Sequence, residues 1–293
     1  MVIQTVLLQT VSGLCSAMVY FLIAAGLSII LGTLKVLNIA HAALYLLGAF
    51  LSCWLTSTLG GTPGAFWWTL ILTPLILALV GCVLEVVLFR RLYDVDMLYQ
   101  LTLCFGLILA LGEVIKLIWG VGYHMVSTPW PLNGSVSIMG ALFPKYNLFT
   151  IAMGGTIFAG LEVLMHYTTL GRNIRAVTYS RDMASTLGIN TPLIYTVVFM
   201  LGCWLAGVAG VLMSAMIAVG LGQDTNALVY CFIILVTGGF GSLPGAFIAA
   251  IILGLITSFG ILLVPNLAIA FGFLLMAIVL VFRPYGLMGR PEQ

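Results

Sequence analysis

Residues 192–216 read PLIYTVVFMLGCWLAGVAGVLMSAM, a stretch without a single Asp, Glu, Lys or Arg. The hydrocarbon core of a bilayer is roughly 30 Å thick and takes about 20 apolar helical residues to cross. With no water in that core, every backbone N–H and C=O needs a partner within its own segment, and a helix supplies one. The stretch therefore predicts a transmembrane helix. Gly202, Ala206 and Gly210 recur along it at every fourth residue, the spacing that lets another helix approach its backbone closely.

Outward from this segment the signal repeats. Further apolar runs lie at 6–31, 37–59, 66–89, 98–120, 147–170, 226–238, 246–263 and 266–282. The run 226–238 is short and gives way to GGFGSLPG at 238–245, so it reads either as a full crossing or as a half crossing. The expected architecture is all-α: one polytopic transmembrane bundle over 1–293, with eight or nine spans and broken or re-entrant helices. Composition agrees. Of 293 residues 62% are apolar and 6% charged, with a mean hydropathy of +1.24. Soluble proteins carry about 25% charged residues to keep their surfaces wet; here lipid has to solvate most of the exterior. The formal charge of +2 provides no basic field for nucleic acid. MVIQTVLLQT at the N-terminus has neither a positive n-region nor a small-residue cleavage site, and does not read as a removable signal.

Basic residues set the orientation, because cytoplasmic loops retain Lys and Arg. With nine spans and an outside N-terminus, Lys35, Arg90/Arg91, Arg172/Arg175/Arg181 and Arg283/Arg290 share the cytoplasmic side, whereas Lys116 and Lys145 lie at or near the outer one. Merging the runs 226–238 and 246–263 would reverse the N-terminal side. The long connection 121–146 faces outward in this scheme. Three prolines and the turn signal Asn133-Gly134, with β-compatible stretches around it, make it a small ordered cap.

The inner connection 171–191, GRNIRAVTYSRDMASTLGINT, is of a different kind. Residues 172–187 favour a helix, Gly188 suits the position after its end, and Ile174, Val177, Met183 and Leu187 would give it one apolar face. A solvated amphipathic loop that obeys the positive-inside rule explains it. So does a knob that docks into a cytoplasmic partner, which accounts better for its length, since helix–helix connections need only about 2–8 residues.

Polar residues inside the apolar runs are few. Asn38 and His41 lie three apart at the start of the second span, either fixing packing at a helix start or exposing polar groups where the chain unwinds near 34–38. Gly238, Gly239, Gly241, Ser242 and Pro244 interrupt the helix at membrane depth, where irregular backbone must be buried in protein or line a cavity. The segments 26–50 and 230–254 are faintly alike, a weak internal repeat with the substrate route between its halves. Glu113 with Lys116 and Glu162 with His166 can pair along their helices, and Glu85 can reach Arg90. Asp224 is either a gate residue or wet. Cys15, Cys53, Cys82, Cys104, Cys203 and Cys231 all lie in apolar runs without metal-ligand spacing and read as free buried thiols. No nucleophile–base constellation, metal set or G-x-x-x-x-G-K-[ST] run emerges, so neither catalysis nor a cofactor is expected in this chain.

Three motifs in order carry a family resemblance. GLSIILGTLKVLNIAHAALYLLGAF (26–50), the loop signature Arg175-Ala176 through Ala184-Ser185 to Leu187-Gly188-Ile189-Asn190, and GGFGSLPGAFIAAIILG (238–254) closely resemble branched-chain amino acid ABC permeases of the LivH/LivM family. The ending Gly289-Arg290-Pro291-Glu292 is similar as well. The chain departs from the pattern at Ala42, where the family has glycine, and at Tyr179 and Ser180, which replace an acidic pair. The resemblance implies a permease subunit of an ATP-binding-cassette importer in the bacterial inner membrane, its C-terminus cytoplasmic, that moves branched-chain amino acids by alternating access. It further implies a second permease subunit (a LivM-like heterodimer, or a homodimer), a periplasmic substrate-binding protein, and two cytoplasmic ATPase subunits that hold ATP and Mg. The inner loop becomes the coupling helix, with Arg172, Arg175, Ala184, Ser185, Gly188, Ile189 and Asn190 at the ATPase; Asn38, His41 and the glycine-rich break become pathway or gate. Relatives of this class also carry urea, short amides or other amino acids. An ion-coupled transporter working through Glu113 or Glu162 is the other reading of the residues.

Overall fold

Long apolar runs without charge fold here as helices, and each run ends where glycine, proline or a cluster of polar residues interrupts it. The computed structural model describes residues 2–60, 64–93, 95–138 and 141–289; Arg290, Pro291 and Glu292 of the motif at the C-terminus lie outside them. Helix α1 (Val2–Leu34) is followed by an irregular joint and α2 (His41–Thr58). Helix α3 (Ala65–Val87) runs on into a 3-10 turn at Phe89–Leu92, and α4 (Met97–Trp119) leads to a two-stranded hairpin, β1 (Ser135–Ile138) and β2 (Ala141–Pro144). Then come α5 (Lys145–Tyr167), the short α6 (Thr169–Tyr179) and α7 (Arg181–Thr186), and the long α8 (Thr191–Ser214). Helices α9 (Gln223–Gly238), α10 (Leu243–Leu263) and α11 (Ala268–Phe282) complete the bundle.

Helix α8 is the hub, packed by α1, α2 and α3. Of the residues in its span 72% are buried by the rest of the chain, against 11% in α4, so α4 presents its apolar side chains to lipid or to another subunit. The small residues of α8 serve different neighbours. A Cβ on Gly202 would lie 2.5 Å from Cδ1 of Ile30 on α1, and one on Gly210 would lie 2.6 Å from the backbone nitrogen of Ala49 on α2. The regular spacing seen in the sequence thus splits between two partners.

All nine apolar runs are helical, and among the described residues six helices are long and apolar enough to cross a membrane. Helices α2, α9 and α11 have 18, 16 and 15 residues. The second span begins at His41 rather than at 37, because the chain leaves the helical path from Lys35 (φ +56°) to Ala40. The continuous inner helix expected over 172–187 is two helices that meet at Ser180, whose extended backbone (φ −156°, ψ 115°) ends α6 and starts α7. Asn133-Gly134 is not the hairpin tip: it precedes β1, and the Gly134 carbonyl accepts from Lys145 N–H (3.1 Å), closing the hairpin's base. The connection 121–146 is stitched to the α8–α9 link by reciprocal bonds between His124 and Val219 (2.9 and 2.7 Å), and Tyr146 donates to the Leu212 carbonyl (2.9 Å). All six cysteines are free; Cys53 and Cys82 are half-buried, where full burial was expected.

Candidate functional site

The elbow between α5 and α8 is built from caps. Thr168 accepts from Gly171 N–H (3.1 Å) and starts α6; Ser180 accepts from Met183 N–H (3.3 Å) and starts α7; Asn190 accepts from Leu193 N–H (3.2 Å) and starts α8. Each hydroxyl or amide oxygen satisfies a first-turn N–H that has no partner within its helix. Ser180 thus keeps an N-cap oxygen at one of the two positions where the family's acidic pair is replaced. Helix α7 closes with Gly188 N–H on the Ser185 carbonyl and Ile189 N–H on the Ala184 carbonyl, both 3.0 Å. This Schellman arrangement needs a left-handed residue, and Gly188 has φ +82°.

The break at Ser180 turns the two halves to different sides. Ile174 and Val177 are buried in the bundle, whereas Met183 and Leu187, expected on the same apolar face, are 65% and 81% exposed. With Tyr179 at the end of α6 they leave an exposed apolar rim along α7 and its ends that one continuous helical wheel does not reveal. Of the residues the resemblance assigns to docking, Arg172, Arg175, Ser185, Gly188 and Asn190 are exposed and Ile189 is half-buried. Ala184 is buried and packs inward, and Arg175 donates to the Met165 carbonyl at the end of α5. Ala184 thus packs the elbow from within, while Arg175 and Asn190 each make a bond inside it and remain exposed.

A polar clamp fastens this elbow to the bundle. Glu85, fully buried in α3, accepts from Arg90 Nε (3.2 Å) and Nη2 (2.7 Å), from Tyr93 OH (3.0 Å) and from Thr196 Oγ1 of α8 (2.7 Å). Arg90 Nη2 also reaches Thr196 (2.7 Å). Tyr93 stacks edge-on against Tyr195 (5.1 Å between centroids), and the Arg181 guanidinium of α7 lies 5.8 Å from the Tyr195 ring centroid. Burial, and then the Glu85 carboxylate, push the Tyr93 phenol upward, so at neutral pH it remains a donor. A chain of contacts therefore runs from α7 through α8 to α3. Glu85–Arg90 proximity was legible in the sequence; Tyr93, Tyr195 and Thr196 were not, because nothing in their spacing announces a meeting across more than 100 positions.

The last turn of α1, just before the first irregular joint, meets the second one: a Cβ on Gly32 would lie 3.0 Å from the Cα of Gly241. Asn38 and His41 are fully buried in the first joint. The Asn38 Oδ1 lies 3.8 Å from Cys104 Sγ of α4, while Asn38 Nδ2, both His41 ring nitrogens and Ser28 Oγ make no hydrogen bond among the described residues. The His41 ring fills the crossing of α1 and α8, where a Cβ on Gly26 would stand 2.8 Å from its Nε2. In the second joint Gly239 (φ +98°) packs on the segment after α11: Leu287 N–H donates to the Thr237 carbonyl and Met288 N–H to that of Gly238 (2.8 and 3.1 Å). A Cβ on Gly238 would lie 2.6 Å from the carbonyl carbon of Gly245, and Gly241 (φ +74°) meets Gly32. Ser242 caps α10 by accepting from Gly245 N–H (3.2 Å), and Pro244 sits in its first turn. The predicted gate residues thus occur at two adjoining breaks, each stabilised locally.

Glu113 and Lys116 form an ion pair at 3.4 Å with side chains 66% and 50% exposed, and Glu162 Oε2 lies 3.2 Å from His166 Nδ1. The first pair is exposed; Glu162 is half-buried, and its Oε1 makes no hydrogen bond among the described residues. Among the described residues no group of His, Cys, Asp and Glu has the makings of a metal site.

A multi-pass helical bundle with paired breaks and a capped elbow is the architecture of a membrane permease. The comparisons agree: residues 9–282 match the family described as branched-chain amino acid transport system / permease component, and the chain belongs to that family. It is 30% identical over 296 residues to the high-affinity branched-chain amino acid transport system permease protein BraD of Pseudomonas aeruginosa, covering 97% of this chain and 96% of BraD. To LivH of Escherichia coli (strain K12) it is 28% identical over 301 residues, with 97% and 96% covered. The probable branched-chain amino acid transport permease LivH of Methanocaldococcus jannaschii is 26% identical over 287 residues, with 92% and 88% covered. In fold the chain is similar to PsaBC from Streptococcus pneumoniae in complex with Fab, at a TM-score of 0.51 and 13% identity, over 92% of this chain and 89% of that one.

Proposed function

We propose that this chain is the permease subunit of an ATP-binding-cassette importer for branched-chain amino acids, driven by ATPase subunits that bind the α6–α7 elbow. The family match over residues 9–282 supports the class, and one observation carries the mechanism. The elbow offers an exposed apolar rim, Tyr179, Met183 and Leu187, on a frame whose every helix start is capped and whose base is clamped to α3 and α8. A rigid lever transmits force; a loose loop absorbs it. Closure of an ATPase dimer beneath the elbow would move α7, and the contacts Arg181–Tyr195–Tyr93–Glu85 pass that motion to α8 and α3. The joints at 35–40 and 239–242 then take up the bending, so that the passage opens first to one side and then to the other.

ATP and Mg bind the partner subunits in this reading, and a second permease subunit, LivM-like or a second copy, completes the passage. A periplasmic binding protein delivers the cargo. The chain lies in the bacterial inner membrane in nine passes, its N-terminus and the 121–146 cap outside, the elbow and C-terminus cytoplasmic.

The test is crosslinking in the assembled transporter. Ser185→Cys or Gly188→Cys, paired with single cysteines on the ATPase surface, is expected to crosslink to the ATPase, while the permease reconstituted alone transports negligibly. Crosslinks that never include an ATPase, or full transport by the isolated chain, would sink this reading.

A further inference from the structure

A cavity of about 270 Å³ lies beside the first two turns of α9, between α1, α2, the end of α8 and α11. Gln223, Asn226, Ala227 and Tyr230 line it from α9 at i, i+3, i+4 and i+7, one stripe of a helix. Tyr20 of α1 and Tyr45 of α2 face them. Tyr20 and Tyr230 close one side, ring centroids 4.6 Å apart.

The hydrogen-bonding groups here are unused. Among the described residues the hydroxyls of Tyr20, Tyr45 and Tyr230 and the Asn226 amide make no hydrogen bond, and Gln223, whose Nε2 holds the Ala218 carbonyl at 2.6 Å, leaves its buried Oε1 without a partner. Tyr45 is 2% exposed. Buried polar groups in proteins are paired as a rule, and leaving one unpaired costs about 1–3 kcal/mol. That cost falls on Tyr45 and on the Gln223 Oε1; Tyr20 and Tyr230 are half-buried and Asn226, at the mouth, is exposed. Around one partly open space, these hydroxyls and amides suit a polar occupant.

The lining defines that occupant. The lining itself carries no Asp, Glu, Lys, Arg or His, and the charge within reach is the Asp224 carboxylate, next to Gln223 and close enough to act on Tyr45, so a bare anion is disfavoured there while an ammonium group is not. Phenols and amides both donate and accept, which suits a head group carrying an ammonium and a carboxylate together. Met213 and Ile269 supply an apolar side that a short amide would leave unfilled. The volume falls below the roughly 300–1,000 Å³ of sites for drug-sized ligands, room for one amino acid but not a peptide. We infer that this cavity is a station on the transport route that holds a single zwitterionic α-amino acid with an aliphatic side chain, its head on Tyr45, Gln223 and Asn226 and its tail towards Ala227 and Ile269. The inference rests on the permease reading above and names the cargo contact that the motifs did not. Helix α9 carries the cavity on its first turns and ends at the Gly238–Gly239 joint, so bending there would open and close the site.

The experiment uses the whole transporter in proteoliposomes with saturating, cargo-loaded binding protein, comparing leucine with valine. Ala227→Val takes volume from the tail side; one methylene in an apolar pocket is worth about 10–200-fold in discrimination, and the leucine-to-valine rate ratio is expected to fall at least tenfold. Tyr45→Phe removes one hydroxyl at constant shape and is expected to lower both rates several-fold with unchanged ratio. Thermal stability in detergent identifies a misfolded variant, in which case Tyr45→Phe alone decides. An unaltered ratio in a folded Ala227→Val variant, an unaltered rate in Tyr45→Phe, or equal uptake of acetamide overturns the inference. If wild-type transporter moves no amino acid at all, the permease reading itself fails; if it does and the variants match it, only the cavity assignment falls.

Discussion

At the scale of single residues, the structure turns on polar side chains placed where water is scarce. Glu85 is fully buried and held by Arg90, Tyr93 and Thr196. Removing one partner of a buried ion pair strands the other charge at a cost of about 3–5 kcal/mol, and solvent around the 38%-exposed Arg90 side chain brings that to about 2–3 kcal/mol. Arg90→Ala is therefore expected to lower the midpoint of thermal unfolding in detergent clearly, and Arg90→Lys, which keeps the charge but loses the forked geometry, by less. Equal melting of Arg90→Ala and wild type would show that the clamp contributes nothing. His41 is the opposite case: it is fully buried with both ring nitrogens unpaired, at a helix crossing that glycine at 26 makes room for. The sequence marked both residues as anomalous in an apolar run, but not the difference between them, because that difference is made by partners on distant helices.

Among the elements, the elbow shows how far a periodic pattern can be read. Residues 172–187 have good helical composition, and the C-terminal end at Gly188 follows from the sequence because glycine enters the left-handed region without a Cβ clash. The interruption at Ser180 does not follow, since a serine within a helical pattern and a serine that caps a new helix look alike until tertiary contacts choose. Ser180→Ala removes the cap and is expected to destabilise α7 by about 1 kcal/mol. In the assembled transporter it should reduce transport per ATP hydrolysed, while Ser180→Asp, which can cap equally well, restores it. Loss of coupling in both variants alike would point to some other role for the hydroxyl. The joints follow the same logic. The glycines of the second joint could be found by eye, whereas the contact of Gly241 with Gly32 at the end of α1 requires two segments 209 positions apart to meet.

For the whole molecule, the number of complete crossings fixes which loops share a side of the membrane. Helices α9 and α11, with 16 and 15 residues, span only about 23 Å at 1.5 Å per residue, less than the roughly 30 Å core. A passage next to short helices has less membrane to traverse, and the cavity on α9 lies beside one of them. Nine passes require Arg91 and Arg172 on one side and Lys145 on the other. A membrane-impermeant thiol reagent applied to intact cells is expected to label Lys145→Cys and to spare Arg91→Cys and Arg172→Cys, with the pattern reversed in inverted vesicles. Labelling of Lys145→Cys and Arg172→Cys from the same side would remove the nine-pass topology.

Apolar runs, basic clusters and glycine breaks are local properties of the chain, governed by the cost of taking backbone and charge into lipid. They determined that this protein is a multi-pass helical membrane protein and which loops flank its spans; its class as a permease came from three motifs resembling a known family. Which faces of those helices meet is a matter of shape complementarity between surfaces far apart in the chain, and here nearly every face is apolar, so hydropathy does not distinguish buried from lipid-exposed. Only the tertiary structure decided that α8 is central and α4 peripheral, that Thr196 finds Glu85, and that three tyrosines and two amides gather around one cavity.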